Sequence, residues 1–497
     1  MIGRSLAFAA SILALNSVEV HAANVLKFSV AGLPASDVLN PSVSLAGFLS
    51  EATVGELYTF DFNSVATLSG GLTTSDLTWG FSDSDAAHSF PAGINLSAST
   101  GVFSGTPTTS GSNTFEIVAA HTDGEGRQIY TLVINETVLN VVQISAGGNH
   151  TCAVTATGGV KCWGLNSSGQ LGDGTYVEKH TPVDVAGLTS GVVAVESGGN
   201  HTCAVTDADG VKCWGANGSG QLGRGTTFAG SPVGADVAGL TSGVASITAS
   251  AAHTCAITTA GGAKCWGRNY YGHLGDGTST DRSVPVDVSG LTSGVTSISA
   301  GGASGIGSKQ TCAVHDGAAK CWGDNDAGQH GNGGKSRSYT PKQVTGLTSG
   351  VYTVSAGFSN TCALMLDTSV KCWGANYNGS IGDGTTTERL TPVAVSGLSS
   401  GVTALSVGYG FACVVHDSAA KCWGYNVGRL GNGITAKSTV PVSVSGLESG
   451  VSAISAGESH ACAAKTDGSA FCWGYNTNGR VGDGTTTNTL VPVELVP

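Results

Sequence analysis

The chain has 497 residues, enough for two or three ordinary domains or for one repeat array with an added module. Hydrophobic residues make up 40% and charged residues only 11%, so a sizeable core can be buried, and 76 glycines without a collagen triplet imply many tight turns between short strands. The net charge of −12 argues against nucleic acid or anionic lipid as a partner, since both select basic surfaces, and leaves proteins and glycans open.

Taken in chain order, the first element has the form of a signal peptide over residues 1–22. Arg4 supplies the positive start, Ser5 to Leu15 the apolar run, and Val20-His-Ala22 the small residues of a cut before Ala23. No later stretch reaches the ~18–20 uninterrupted apolar residues of a membrane span, and no lipid-anchor pattern is present. The expected product is therefore exported (secreted, periplasmic or at the cell surface), without membrane insertion, and a monomer.

Residues 30–140 lack cysteine and read as about seven short strands of a small β-sandwich. Gly55-Glu-Leu-Tyr-Thr-Phe-Asp-Phe alternates as a strand, Trp79-Gly-Phe follows, and Asn113-Thr-Phe-Glu-Ile-Val and Tyr130-Thr-Leu-Val-Ile close the module. Between them, Phe90-Pro-Ala-Gly-Ile-Asn-Leu and Thr100-Gly-Val-Phe-Ser-Gly-Thr-Pro resemble the core of immunoglobulin-like, cadherin-like modules of bacterial surface proteins, with Ile94 in the leucine position. The resemblance implies a spacer or adhesion unit. Asp61, Asp83, Asp85 and Asp123 lack the ordered spacing of a calcium loop and are expected to be solvated loop acids.

From residue 141 onward an internal repeat dominates. Cys-Trp-Gly occurs seven times, with Trp at 163, 214, 266, 322, 373, 423 and 473. Each is preceded by another cysteine, and these first cysteines follow one another at intervals of 51, 52, 57, 50, 51 and 49 residues. The long interval reflects extra residues in Ala303–Gln310. About 50 residues carrying four strand-like runs is one propeller blade. The recurring Ser-Ala-Gly-x-x-His…Trp-Gly-x-Asn-x-x-Gly-Gln-Leu-Gly-x-Gly resembles the regulator of chromosome condensation repeat. The fold class is thus all-β: a seven-bladed β-propeller over residues 141–497 preceded by the small β-sandwich. A Pro-containing strand recurs at Pro182, Pro232, Pro285, Pro341, Pro392, Pro441 and Pro492, and Leu490–Val496 is expected to pair into the first blade and close the ring.

All 14 cysteines fall in the repeat hairpins. Folding Cys312…Cys321 about Asp316-Gly317, or Cys413…Cys422 about Asp417-Ser418, sets the two cysteines opposite one another. The remaining pairs are Cys152 with Cys162, Cys203 with Cys213, Cys255 with Cys265, Cys362 with Cys372, and Cys462 with Cys472. They carry one more residue, which a three-residue loop absorbs with the same outcome. Spacing that tracks loop length so as to preserve register is what a disulfide requires. Free thiols and zinc are the alternatives, but zinc wants four ligands at closer spacing. Seven intrablade disulfides are expected, in keeping with export.

No nucleophile–base pair, cofactor motif or carboxylate dyad stands apart from the repeat, and no catalytic residue, metal site or cofactor is assigned. His150, His201, His253 and His460 stand two residues before a first cysteine, where the other blades have Gln310, Asn360 and Phe411. They are a conceivable metal ring, but the repeat family carries His here as a locally bonded strand-start residue. The repeat resemblance says little about activity. With no catalytic constellation and with loops that vary on a constant scaffold, the expectation is a binding or adhesion protein, not an enzyme, with a protein or glycan partner. An inhibitor of an extracellular enzyme, as in β-lactamase inhibitors with a similar propeller, is the alternative, and an unrecognised enzyme comes third. Guanine-nucleotide exchange, which the family's nuclear members perform, is not expected of an exported chain. Departures from the repeat mark the candidate partner surface on blades three to six: Tyr270, Tyr271, Ile306, Lys309, Lys335, Arg337, Tyr339, Phe358, Tyr377 and Tyr409, accompanied by Tyr352 and Phe411, with Phe228 in blade two.

Overall fold

The computed structural model describes residues 43–495 apart from 70, 82–90, 123, 136–138, 228–229 and 303–309. The proposed signal peptide, Phe228, Ile306, Lys309, Asp83, Asp85 and Asp123 lie outside the described residues. The chain forms two compact units that divide between Thr137 and Val138.

In the first unit, Gly111–His121 and Gly124–Asn135 form a long antiparallel hairpin. Thr78–Phe81 extends it on one side and the short parallel strand Ala52–Thr53 on the other. A second sheet, ordered Tyr58–Asp61, Val102–Gly105, Ile94–Leu96, completes the sandwich. The aromatic residues that stand out in the sequence are its core: Phe62, Trp79, Phe103, Phe115 and Tyr130 are buried together. Nine strands are present among the described residues, two of them long, where the sequence implies about seven short ones. Asp61 works locally, its carboxylate accepting the Asn63 amide at 2.9 Å at the start of a 3₁₀ turn.

The second unit is seven consecutive four-stranded antiparallel sheets. Blade one runs Val141–Ala146, His150–Thr155, Val160–Gly164 and Lys179–Asp184 from the innermost strand outward, and the other six follow the same order. The second and third strands pair so that Cys152 faces Cys162, and the equivalent residues face one another in every blade. All seven pairs are disulfide-bonded within their own blade. Cys152 is joined to Cys162, Cys203 to Cys213, Cys255 to Cys265 and Cys312 to Cys321. Cys362 is joined to Cys372, Cys413 to Cys422 and Cys462 to Cys472, and no described cysteine is free. The shorter hairpins turn through two left-handed residues, Asp316 with Gly317 and Asp417 with Ser418, as a two-residue loop between twisted strands requires.

One expectation fails. The described part of the expected closing segment, Leu490–Leu495, does not complete blade one, and Val496 lies outside the described residues. Thr489–Glu494 pairs with Ala470–Gly474 as the outer strand of blade seven, matching Cys472 with Val493 and Gly474 with Thr489. The Pro-containing segment is the last strand of its own blade, so the expected phase is misplaced by one strand and blade one is complete without help. Every outer strand is consequently an edge. Its proline sits at the register shift beside the Cys-Trp-Gly strand, a position where a ladder donor is not needed.

Candidate functional site

Blade-to-blade contacts decide which repeat residues are structural. The first is a relay. His150 Nε2 meets Thr202 Oγ1 of the next blade at 2.8 Å, His201 meets Thr254 at 2.9 Å, His253 meets Thr311 at 3.0 Å, and Gln310 donates to Thr361 at 2.9 Å. The ring shuts through the same link, His460 to Thr151 at 2.7 Å. Each threonine hydroxyl donates onward to a loop carbonyl of the preceding blade, at Gln170, Gln221, His273, Gln329 or Arg480. The tryptophan of the threonine's own blade donates its Nε1 to that same carbonyl. A hydroxyl that donates to a carbonyl must accept from the imidazole, so these histidines carry their proton on Nε2. Burial pushes His150 down to about 3 and His201 to about 4, which keeps them neutral. Histidine and tryptophan are therefore the fasteners of the ring. Their reach between blades seven and one replaces the strand exchange expected from the sequence, helped by Leu495 packing with Trp163 and Ile144.

At the axis the blades approach more closely still. Gly148 donates to Gly198, Gly199 to Ser250, Gly302 to Gly357, Tyr409 to Gly457, and Glu458 to Gly147, all backbone to backbone at 3.0–3.2 Å. A Cβ on Gly457 would lie 2.5 Å from the Gly147 carbonyl oxygen. This is why the Ala-Gly step recurs at the end of the inner strand. The opening it surrounds is a pocket of about 90 Å³ whose rim includes Phe358, Tyr409 and Glu458.

Strand direction then sorts the loops. In each blade the connection from first to second strand and that from third to fourth emerge at the same end. Tyr270, Tyr271, Lys335, Arg337 and Tyr377 lie in connections of the second kind, Phe358 and Tyr409 in connections of the first. Tyr339 is the second residue of an outer strand that begins at that end. The described candidates thus share one face of the propeller. Within it they form three groups. Tyr270 and Tyr271 meet edge to face at 4.9 Å, the Arg337 guanidinium lies 5.1 Å from the Tyr271 ring, and Tyr339 rests against Gly272. Lys335 pairs with Glu388 at 2.5 Å within electrostatic reach of Tyr377, whose carbonyl accepts from Lys437 at 3.2 Å. Phe358 and Tyr409 are in ring contact at 4.5 Å on the axial rim. Two accompanying aromatics do not join them. Phe411 is 0% exposed in the core between blades six and seven, and Tyr352 sits toward the opposite end of its inner strand.

The sequence reading misses two arginines on this face. Arg429 and Arg480 replace the glutamine of the Gly-Gln-Leu-Gly loop in blades six and seven, and both are buried, at 8% and 3% exposure. The departure is visible in the repeat, but only packing shows that the position is buried.

A closed ring of seven four-stranded blades, fastened by a His/Gln–Thr–Trp relay and presenting eight of its off-repeat residues on one face, defines a repeat propeller. The RCC1-like domain family matches residues 104–415, so the chain belongs to that family. The regulator of chromosome condensation (RCC1) repeat matches residues 422–464, 451–480 and 467–497, and the family described as "Putative Ig domain" matches residues 40–135. The chain is 31% identical over 280 residues to the ultraviolet-B receptor UVR8 of Arabidopsis thaliana, covering 55% of this chain and 62% of that protein. It is 32% identical over 302 residues to the E3 ubiquitin-protein ligase HERC2 of Homo sapiens, covering 58% of this chain and 6% of that one. It therefore spans less than two thirds of the length of either. Among solved structures it resembles yeast RCC1 (Prp20) bound to Kap60, with TM-score 0.59, 20% identity, and 67% and 83% of the two chains covered. Prp20p of Saccharomyces cerevisiae gives 0.58 at 19% identity, with 72% and 87% covered. These likenesses show the fold.

Proposed function

We propose that this protein is an exported interaction scaffold whose partner docks on the loop face of blades three to six. The observation that supports this most directly is convergence: eight described candidates, selected as departures from the repeat, fall on one face. Tyr, Trp and Arg dominate binding hot spots, and this face carries exposed tyrosines beside Arg337, Lys335 and Lys437. Yeast RCC1 (Prp20), a chain of similar fold, was solved bound to Kap60, a protein partner. Seven disulfides fit an oxidising compartment, which favours export.

The test is capture from the native extracellular milieu with wild-type protein and two variants. Tyr271→Ala/Arg337→Ala/Tyr377→Ala alters the loop face, and Leu366→Ala/Glu448→Ala alters the opposite face. Loss of at least tenfold in affinity for the captured protein in the first variant alone is expected, about 1.4 kcal/mol. Equal affinity of all three, or loss only in the second, refutes the placement. Replacing residues 303–310 by Asn-His, as in blade one, tests the remaining candidates Ile306 and Lys309 in the same assay.

A further inference from the structure

Arg429 and Arg480 present an electrostatic problem that the propeller itself does not solve. The corresponding residues in the other blades are Gln170, Gln221, His273, Gln329 and Ser380, so the loop folds without a fixed charge there. Arg480 donates Nη1 to the Gly148 carbonyl at 3.1 Å and Nη2 to Asn478 Oδ1 at 2.9 Å, but its buried Nε has no partner. Arg429 donates Nη2 to Ser459 Oγ at 3.3 Å and leaves both Nε and Nη1 buried and unpaired. Burial lowers both guanidinium pKa values, Arg480 to about 10, and the nearby charge of Arg429 pushes Arg480 in the same direction. Both remain cationic at neutral pH.

Their surroundings are built around them. The Arg429 guanidinium lies 4.5 Å from the Tyr425 ring and 5.9 Å from Tyr409, and that of Arg480 lies 5.3 Å from Tyr475. Tyr425 and Tyr475 are themselves departures: the position after Trp-Gly holds Leu165, Ala216, Arg268, Asp324 and Ala375 in the other blades. Tyrosine and arginine thus occur together in the two adjoining blades and in none of the rest. Glu458, on the axial rim, is within electrostatic reach of both arginines, but one carboxylate against two guanidiniums leaves the cluster positive in a chain of net charge −12. A buried charge left partly unpaired is costly, and a guanidinium fork with free N–H groups matches an oxyanion.

We infer that Arg429 and Arg480, walled by Tyr409, Tyr425 and Tyr475, form a binding site for an oxyanion, a carboxylate or phosphate group, on the loop face where blades six and seven meet blade one. The inference does not depend on the docking face of blades three to six. It is tested by titration calorimetry and thermal melting with three probes, sodium phosphate, sodium acetate and a short Asp-rich peptide, against sodium chloride at equal ionic strength. The proteins are wild type, Arg429→Gln, Arg480→Gln and the double variant, glutamine being the residue that three other blades use at this position.

Saturable binding of at least one probe is expected for wild type, at least tenfold weaker in each single variant and absent in the double variant. Binding of phosphate or acetate identifies a free oxyanion as sufficient; binding of the peptide alone identifies the source as an acidic side chain of a partner. General stabilisation by phosphate raises all four melting curves alike and is removed by comparing proteins. Two results overturn the inference: no saturable heat for wild type with any probe up to about 10 mM, or equal binding by wild type and the double variant. The first of these needs no variant to fold.

Discussion

The relay between blades has a defective polar link, and repairing it is a direct test of how the ring is held. Asn360 occupies the histidine position of blade five, but the residue that would receive its hydrogen bond in blade six is Ala412, where five other blades have Thr151, Thr202, Thr254, Thr311 and Thr361. Asn360 Nδ2 is accordingly buried without a partner, and the Ser380 carbonyl accepts from the Trp423 indole at 3.0 Å with no hydroxyl beside it. Ala412→Thr places a hydroxyl where it can accept from Asn360 and donate to Ser380. All five existing threonines at this position are buried, so the added atoms have a packing precedent. Two neutral hydrogen bonds are worth about 1 kcal/mol each, so the variant should gain about 2 kcal/mol. The converse change, Thr361→Ala, removes the acceptor of Gln310 and a donor to Gln329, and should cost about 2–3 kcal/mol with its lost methyl group. Denaturant unfolding followed by the fluorescence of the buried tryptophans reads both. Because packing changes confound single substitutions, Asn360→Ala is added in the parent and in the Ala412→Thr background. The relay predicts a coupling of at least about 1 kcal/mol between residues 360 and 412. A coupling near zero would mean that the His–Thr contacts accompany blade packing without contributing to it.

Acid should loosen the ring. His150, His201 and His330 have folded pKa values of about 3, 4 and 4, below the unfolded value of about 6.5, so the unfolded chain takes up protons first. Their contribution is fully present above about pH 6.5 and declines as pH falls toward 4, by about 2 kcal/mol per histidine at pH 5. Glu196, pushed up to about 7 by burial, acts in the opposite sense and offsets about one of them. His150→Gln, which copies Gln310, should keep the bond to Thr202 and flatten the acid slope of the denaturant midpoint; an unchanged slope would contradict the assignment. Ser418 is held at φ 62° in the turn where blade four has Gly317, so Ser418→Gly should raise stability by about 0.5–1 kcal/mol, and a loss would show that the serine side chain supports the turn. Thiol titration of the denatured, unreduced protein should give no free thiol, and peptide mapping should find each bridge within one blade, Cys203 with Cys213 and Cys255 with Cys265 for example; a bridge between blades would break the register described here.

Periodicity near 50 residues, Gly-rich turns and alternating runs make blade number and strand count legible from the sequence alone, because each blade repeats the same local solution. Cysteine pairing is equally legible: hairpin loop length and cross-strand register are linked over only nine or ten residues, as Cys312 with Cys321 and Cys362 with Cys372 show. The candidate residues stand out as departures from that repeat, yet nothing local says which end of a blade they occupy. Tertiary structure decides that Tyr270, Arg337, Phe358 and Tyr409 share a face, that Phe411 is core, and that Arg429 and Arg480 are buried beside tyrosine rings. It also decides how the ring closes. The final strand belongs to blade seven because pairing with Cys472 and Gly474 satisfies its own backbone, whereas blades seven and one are joined by His460, Trp163 and Leu495. Strand and turn formation depend on neighbours a few residues apart, so the sequence by itself determined the blades. Burial depends on contacts between neighbouring blades, such as His150 with Thr202 52 residues on, and closure on contacts more than 300 residues apart, such as Thr151 with His460; no short-range pattern carries that information.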